Sequence, residues 1–300
     1  MCRLFGMSGG DHPVRATFWL LEAPDSLARQ SRREPDGTGL GCFGADGRPH
    51  LSKQPLAAYE DQAFASQARE LESTVFLAHI RYATTGGLDI ANTHPFEQRG
   101  RLFAHNGVIL ELERLERELG DDRALVTGDT DSERLFALVT REIERHGGDI
   151  GAGIAAAARW VAAELPLYAI NVILGTPDGL WALRYPDTHE LWVLERGAGG
   201  PGGDRHLDAA SAAGTVRVRS EPLSRHPSVI VASERMDEDP GWRLLDPGEL
   251  LHVGPALQVE SSIVLDHPPA HPLTLADLDP TAAAAQAPPS GAETRSDVNP

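Results

Sequence analysis

Along the first hundred residues the apolar positions fall in short runs, not long helical stripes. Cys2 to Ser8 alternates loosely and ends in Gly9-Gly10, which predicts a short strand and a turn. Pro35 to Gly44 reads as a turn leading into a glycine-rich strand. Between residues 63 and 72 the period changes: Phe64, Ala68 and Leu71 recur at helical spacing. Thr74 to Tyr82 is nearly continuous in apolar residues, the pattern of a strand buried on both faces. Arg101 to Ala104 predicts another short strand, stopped by His105-Asn106-Gly107.

The clearest helix is Asp131 to His146, with Leu135, Phe136, Leu138, Val139 and Ile143 on one side and Gly147-Gly148 as its stop. An alanine-rich helix follows over Ile150 to Leu165 and closes at Pro166. From Tyr168 the pattern turns to strands, at 169–174, 180–185 and 190–195, with a Thr176-Pro177-Asp178-Gly179 turn between the first two. Residues 197–214 are rich in glycine and alanine and predict a mobile loop; late strands follow at 229–233 and 250–253. After residue 266 the chain is mostly Pro, Ala, Asp and Ser without periodicity, so a folded domain over 2–265 and a disordered tail over 266–300 are expected. Strands, then two helices, then strands suggest two sheets with helices packed outside them, without selecting a topology.

Composition narrows the partners. A chain of 300 residues can bury a full core. Its formal charge of −17 argues against nucleic acid, whose phosphates need a basic surface, and against an anionic membrane surface. Two cysteines, Cys2 and Cys42, make no disulfide framework. No run approaches the ~20 apolar residues of a membrane span, and nothing resembles a signal peptide. A cytoplasmic protein that binds neither nucleic acid nor membrane is expected.

The candidate chemistry starts at Cys2. Removal of Met1 would leave a thiol and an α-amine on one residue. With ordinary pKa values of roughly 8.5 and 8, the amine can take the thiol proton and return it to a leaving amine. By position alone, a cysteine that merely begins a buried strand is the commoner case. Arg81, in His79-Ile80-Arg81-Tyr82-Ala83-Thr84, offers a planar fork suited to a carboxylate, and Thr84 adds a hydroxyl; a plain ion pair is the alternative. Asn106-Gly107 is an ordinary turn signal, but it also sets an amide NH2 beside an unhindered backbone N–H, the pair of donors an oxyanion needs. His79, His94 and His105 match no compact zinc spacing, and no metal or cofactor is expected. Thr130-Asp131-Ser132-Glu133 is explained by helix capping, by a magnesium site short of ligands, or by an acid facing a substrate ammonium.

Together and in this order, these residues resemble the class II glutamine amidotransferases, N-terminal-nucleophile hydrolases. Asn92-Thr93-His94-Pro95-Phe96 and a late Pro247-Gly248-Glu249 make the chain most similar to the stand-alone branch that includes the ergothioneine-pathway γ-glutamyl hydrolase. The resemblance implies a four-layer αββα sandwich of the α+β class. It implies Cys2 as nucleophile, Asn106 and the Gly107 N–H as the oxyanion hole, Arg81 and Thr84 on the substrate α-carboxylate, and Asp131 on its α-ammonium. The implied activity is hydrolysis of the side-chain amide of glutamine or a γ-glutamyl compound, with a separate ammonia-accepting synthase as a conceivable partner. A catalytically silent binding protein on the same fold is the alternative. Where stand-alone relatives often carry Trp after Asp36-Gly37, this chain has Thr38, which is expected to alter the pocket wall.

Overall fold

The computed structural model describes residues 2–82, 87–198, 208–210, 217–219 and 226–286. Its strands, in chain order, are β1 (Arg3–Ser8), β2 (Gly37–Phe43), β3 (Pro49–Gln54), β4 (Val75–Arg81), β5 (Phe96–Gln98), β6 (Arg101–Ile109), β7 (Pro166–Thr176) and β8 (Gly179–Leu183). They continue with β9 (Trp192–Arg196), β10 (Asp208–Ala210), β11 (Arg217–Arg219), β12 (Ser228–Ala232), β13 (Arg243–Leu244), β14 (Glu249–Val253), β15 (Val259–Ile263) and β16 (His271–Pro272). The α-helices are α1 (Leu27–Gln30), α2 (Gln62–Glu70), α3 (Leu112–Leu119), α4 (Asp131–Arg145), α5 (Ile150–Glu164) and α6 (Pro280–Gln286).

One sheet has the order β13-β9-β12-β1-β4-β2-β3 and the other β15-β14-β8-β7-β6-β5, both antiparallel, with β16 added parallel to β7. The two-residue period of a strand sorts the side chains into layers. Leu4, Leu77, Leu102, Ile173 and Leu251 meet between the sheets. Phe5, Leu40, Phe76 and Ile230 face outward against Trp19, Leu27 and Phe64. On the far side, Phe103, Ile109 and Val172 pack against Leu135, Phe136, Ile154 and Val161 of α4 and α5. The result is an α+β sandwich of four layers, helix-sheet-sheet-helix. Each fully buried Leu or Phe contributes roughly 1.5–3 kcal/mol, so the three apolar layers hold the sheets in register and fix where the strand ends lie. No helix among the described residues is long and apolar enough to cross a membrane.

Three expectations change. β6 does not stop at His105 but runs on to Ile109 in register with β7. Gly107 is there for close approach, not for a turn: a Cβ on it would lie 1.8 Å from the Ala169 carbonyl oxygen. The turn is instead at Arg99 and Gly100, whose φ of 55° and 75° close the β5–β6 hairpin. Residues 266–286 are not a disordered tail. β16 pairs with β7, Thr274 and Asp277 form a capping box, and Leu278 and Ala282 bury against Val108, Tyr168 and Ala169. This segment holds few apolar residues of its own because the strands supply most of that cluster. Residues 287–300 lie outside the described residues, as does most of the 197–214 loop. Finally, Thr38 turns away from the space between the sheets; it is buried and its hydroxyl donates to the Leu56 carbonyl at 2.8 Å, so it forms no pocket wall.

Candidate active site

Cys2 stands immediately before β1, beside the end of β4. Its Sγ lies 3.3 Å from the Tyr82 N–H, which donates to it, and 3.5 Å from the Tyr82 carbonyl, to which the thiol donates. The residue is partly buried. Burial pushes the thiol pKa up; the Tyr82 N–H, the positive chain terminus and Arg81 act in the opposite sense, and Glu34 adds to the rise. A thiol held up in this way is a weak nucleophile until a base takes its proton. The next residue fixes the position: Arg3, 1% exposed, pairs with Glu34 at 3.2 Å and Glu234 at 2.5 Å.

The strand period brings distant residues to one side. Counting in twos from the apolar residues between the sheets, Leu4 leads to Cys2, Leu77 to Arg81, and Leu102 to Asn106. Arg81 is buried, and its Nη1 donates to the Gly87 carbonyl at 3.0 Å. Burial lowers its pKa, while Cys2 and Asp36 act to raise it. Thr84 lies outside the described residues.

The second sheet contributes an open edge. β5 pairs with β6 only over Arg101 to Phe103, so beyond Phe103 that side of β6 has no partner strand among the described residues. In an antiparallel hairpin the backbone groups of alternate residues point to the same side. Phe103, His105 and Gly107 therefore aim their N–H and C=O groups at this edge. Ile109 follows after an irregularity in register, and its N–H donates to Asp131 Oδ2 at 3.0 Å. The Gly107 N–H is thus presented at the edge where Asp131 sits. The Asn106 amide is 1% exposed and neither its oxygen nor its nitrogen has a hydrogen-bond partner. A buried amide left in this state costs about 1–3 kcal/mol.

Asp131 opens α4. Thr130 caps the helix through its hydroxyl, which accepts from the Glu133 N–H at 3.2 Å. Asp131 Oδ1 accepts from the Ser132 N–H at 2.9 Å, and Ser132 Oγ lies 2.9 Å from His105 Nδ1. Asn92 ties the loop after β4 to the turn before α4: its Nδ2 donates to the Gly87 carbonyl and its Oδ1 accepts from the Asp129 N–H at 2.8 Å. Cys2, Arg81, Gly107 and Asp131 line one narrow pocket together with Tyr82, Asn92, His94, His105, Thr130 and Ser132. Asn106 is not among the residues that line it, although its side chain lies on the same face between the sheets as Cys2 and Arg81.

His79 and His94 are fully buried neighbours with ring centroids 4.1 Å apart. Burial, with Arg81 and His105 adding to it, lowers His79 to about 3; burial and the surrounding cationic groups also hold His94 well below its ordinary value. Both are neutral near pH 7. Among the described residues no three His, Cys, Asp or Glu side chains are grouped to hold a metal ion. The sequence reading singled out the loop of Asn92 and the histidines but missed the Arg3 pairing and the Tyr82 backbone contact. The two acids that hold Arg3 are 200 residues apart in the chain, at 34 and 234, so no local pattern marks them.

Comparison with known proteins places this geometry. The family profile described as class II glutamine amidotransferases matches residues 1–271. A glutamine–fructose-6-phosphate aminotransferase of Idiomarina loihiensis is 33% identical over 156 residues, 51% of this chain, which spans only 25% of that protein's length. The γ-glutamyl-hercynylcysteine sulfoxide hydrolase of Mycobacterium tuberculosis is 29% identical over 256 residues, 81% of this chain and 88% of that one. Among solved structures, the glutamine phosphoribosylpyrophosphate amidotransferase of B. subtilis superposes with a TM-score of 0.61 at 18% identity, covering 89% of this chain and 50% of that one. A glutamine aminotransferase class II domain protein of Silicibacter pomeroyi superposes with a TM-score of 0.54 at 20% identity, over 88% of this chain and all of that one. The last two bear on the fold alone.

Proposed function

Because the chain belongs to the class II glutamine amidotransferase family, we propose that it hydrolyses the side-chain amide of glutamine or of a γ-glutamyl compound through a γ-glutamyl thioester on Cys2. The observation that carries this reading is the convergence of Cys2, Arg81, Gly107 and Asp131 on one pocket. Loss of Met1 gives Cys2 a free α-amine. That amine takes the thiol proton as sulfur attacks the amide carbon. The oxyanion forms against the Gly107 N–H, which the alternation along β6 aims at its edge, and the Asn106 amide, which has no hydrogen-bond partner among the described residues. Collapse of the tetrahedral intermediate breaks the C–N bond, and the ammonium of Cys2 returns a proton to the leaving ammonia or amine. Water then attacks the thioester by the same route and releases the glutamyl product.

Arg81 holds the substrate α-carboxylate and Asp131 its α-ammonium, with Thr84 as a further contact to the carboxylate. A zwitterion so bound at both charges leaves its side-chain amide as the free end, directed to Cys2. The α-ammonium would join the backbone N–H groups already on the Asp131 carboxylate.

The hydrolase version of this activity is favoured over delivery of ammonia to a separate synthase. The support is coverage: the chain spans 88% of the γ-glutamyl hydrolase relative, against 25% of the aminotransferase. The test is turnover of L-glutamine and a panel of γ-glutamyl amides, with Cys2→Ala as control. Fast turnover of one γ-glutamyl amide over glutamine supports the hydrolase; ammonia release only on addition of a synthase contradicts it. Retained turnover in Cys2→Ala would sink the mechanism.

A further inference from the structure

The family profile ends at residue 271, yet the chain beyond it returns to the strands that carry Asn106 and Gly107. Leu278 and Ala282 of this segment bury on Val108 and Ala169, the residues next along β6 and β7. At the far end of α6, Gln286 is 1% exposed and lies 2.6 Å from His189 Nε2. An amide oxygen only accepts, so Nε2 carries the ring proton and donates to Oε1. That leaves His189 Nδ1 as a buried acceptor with no hydrogen-bond partner among the described residues. The His189 carbonyl in turn accepts from Asn171 Nδ2 at 3.3 Å, and Asn171 is the cross-strand partner of Asn106.

The side of the nucleophile on which this assembly sits follows from the strand order. β1 lies between β4 and β12. Arg81 ends β4, and the loop after it joins α4, so the clamp for the glutamyl half is on the β4 flank. Glu234 follows β12 and holds Arg3 from the opposite flank. His189 precedes β9, the strand paired with β12, and it lies near enough to Arg3 to feel its charge. A glutamyl group bound toward β4 leaves the other substituent of its amide directed toward His189 and α6.

We propose that α6, anchored by Gln286 on His189, is the wall of the leaving-amine side and excludes flat aryl amines, confining turnover to glutamine and γ-glutamyl amides of compact alkyl amines. The substrate part of this inference rests on the γ-glutamyl reading above; the wall itself does not. Two small residues, Ala282 and Ala285, are buried on the inner side of the helix. They let it lie close to the strands.

The experiment uses the full chain and two variants, Ala282→Arg, which forces α6 off the strands, and Gln286→Ala, which releases its end. For each, kcat/KM is measured with L-glutamine and with γ-glutamyl-p-nitroanilide. Separately, Cys2 alkylation is followed by peptide mass mapping with iodoacetamide and with a bulky aryl maleimide. Ratios taken within one preparation are unaffected by a misfolded fraction. Both variants are expected to raise the anilide-to-glutamine ratio at least about tenfold, the scale on which pocket shape discriminates, and to raise the maleimide-to-iodoacetamide ratio in step. Ratios within twofold of the unaltered chain in both variants would overturn the proposal. If the unaltered chain turns over neither substrate while the alkylation ratio still rises in the variants, the wall stands and the γ-glutamyl reading is what has failed.

Discussion

The two flanks of Cys2 are built on different principles. On the β4 side, Arg81, Asn92 and Asp131 are held by hydrogen bonds to backbone groups, those of Gly87, Asp129 and Ile109. Each is a charged or polar group fixed before any ligand arrives. On the β12 side, Arg3 is neutralised between two acids, and His189 and Gln286 form a buried neutral pair. The first flank keeps unlike charges apart and ready for a zwitterion. The second sets its one buried arginine against two carboxylates and, on the proposed reading, works by shape. If the proposed function holds, affinity for the glutamyl half and selection of the amine are carried by separate parts of the fold, so each can be altered without the other.

The largest expected effect strikes the point where the flanks meet. Cys2→Ala should lower turnover by at least about a thousandfold, since it removes the nucleophile itself; comparable rates in variant and parent would refute the assignment. Next, Asn106→Ala should lower kcat by roughly 10²–10³-fold, about 3–4 kcal/mol in the barrier, with a smaller change in KM. A rise in KM with kcat preserved would move Asn106 to the binding side. Arg81→Ala should do the reverse, raising KM for glutamine by roughly tenfold or more while kcat changes little, because that contact is shared by ground and transition states. An unaltered KM would remove Arg81 from the clamp.

The smallest effect concerns pH and stability. Burial holds His79 at about 3 and His189 at about 4 in the folded chain, against an ordinary value of 6.5. Between those limits the unfolded chain binds protons that the folded chain does not. Stability from these groups is therefore full above about pH 6.5 and falls as pH drops toward 4, by at most about 1.4 kcal/mol per pH unit for each. Urea denaturation at about pH 7 and pH 5 should show this loss, and His79→Gln should reduce the slope. An equal slope in the variant would mean that His79 is not buried neutral.

Most of the β4 flank could be read from the chain because its residues follow one another from His79 to His105, and Asp131 follows at the start of the clearest helix. The strands themselves were visible through apolar runs such as Val75 to Ile80. What could not be read was long-range. Asn106-Gly107 carries the composition of a turn, and only the approach of Ala169, on β7, explains why it lies within a strand. The segment from 266 looked disordered because its leucines and alanines, Leu273, Leu275, Leu278, Ala282 and Ala283, are stabilised by Val108 and Tyr168 rather than by one another. The pairing of Arg3 with Glu34 and Glu234 leaves no trace in local spacing.

The central claim is that Cys2, as the first residue of the mature protein, carries the glutamyl group. Intact-mass and peptide-mass measurement of the active protein, acid-quenched during turnover of L-glutamine or a γ-glutamyl amide, tests it most directly. The account predicts protein lacking Met1 with a γ-glutamyl adduct on Cys2 that is absent from Cys2→Ala. Active protein that retains Met1, or turnover with the adduct on another residue, would contradict it.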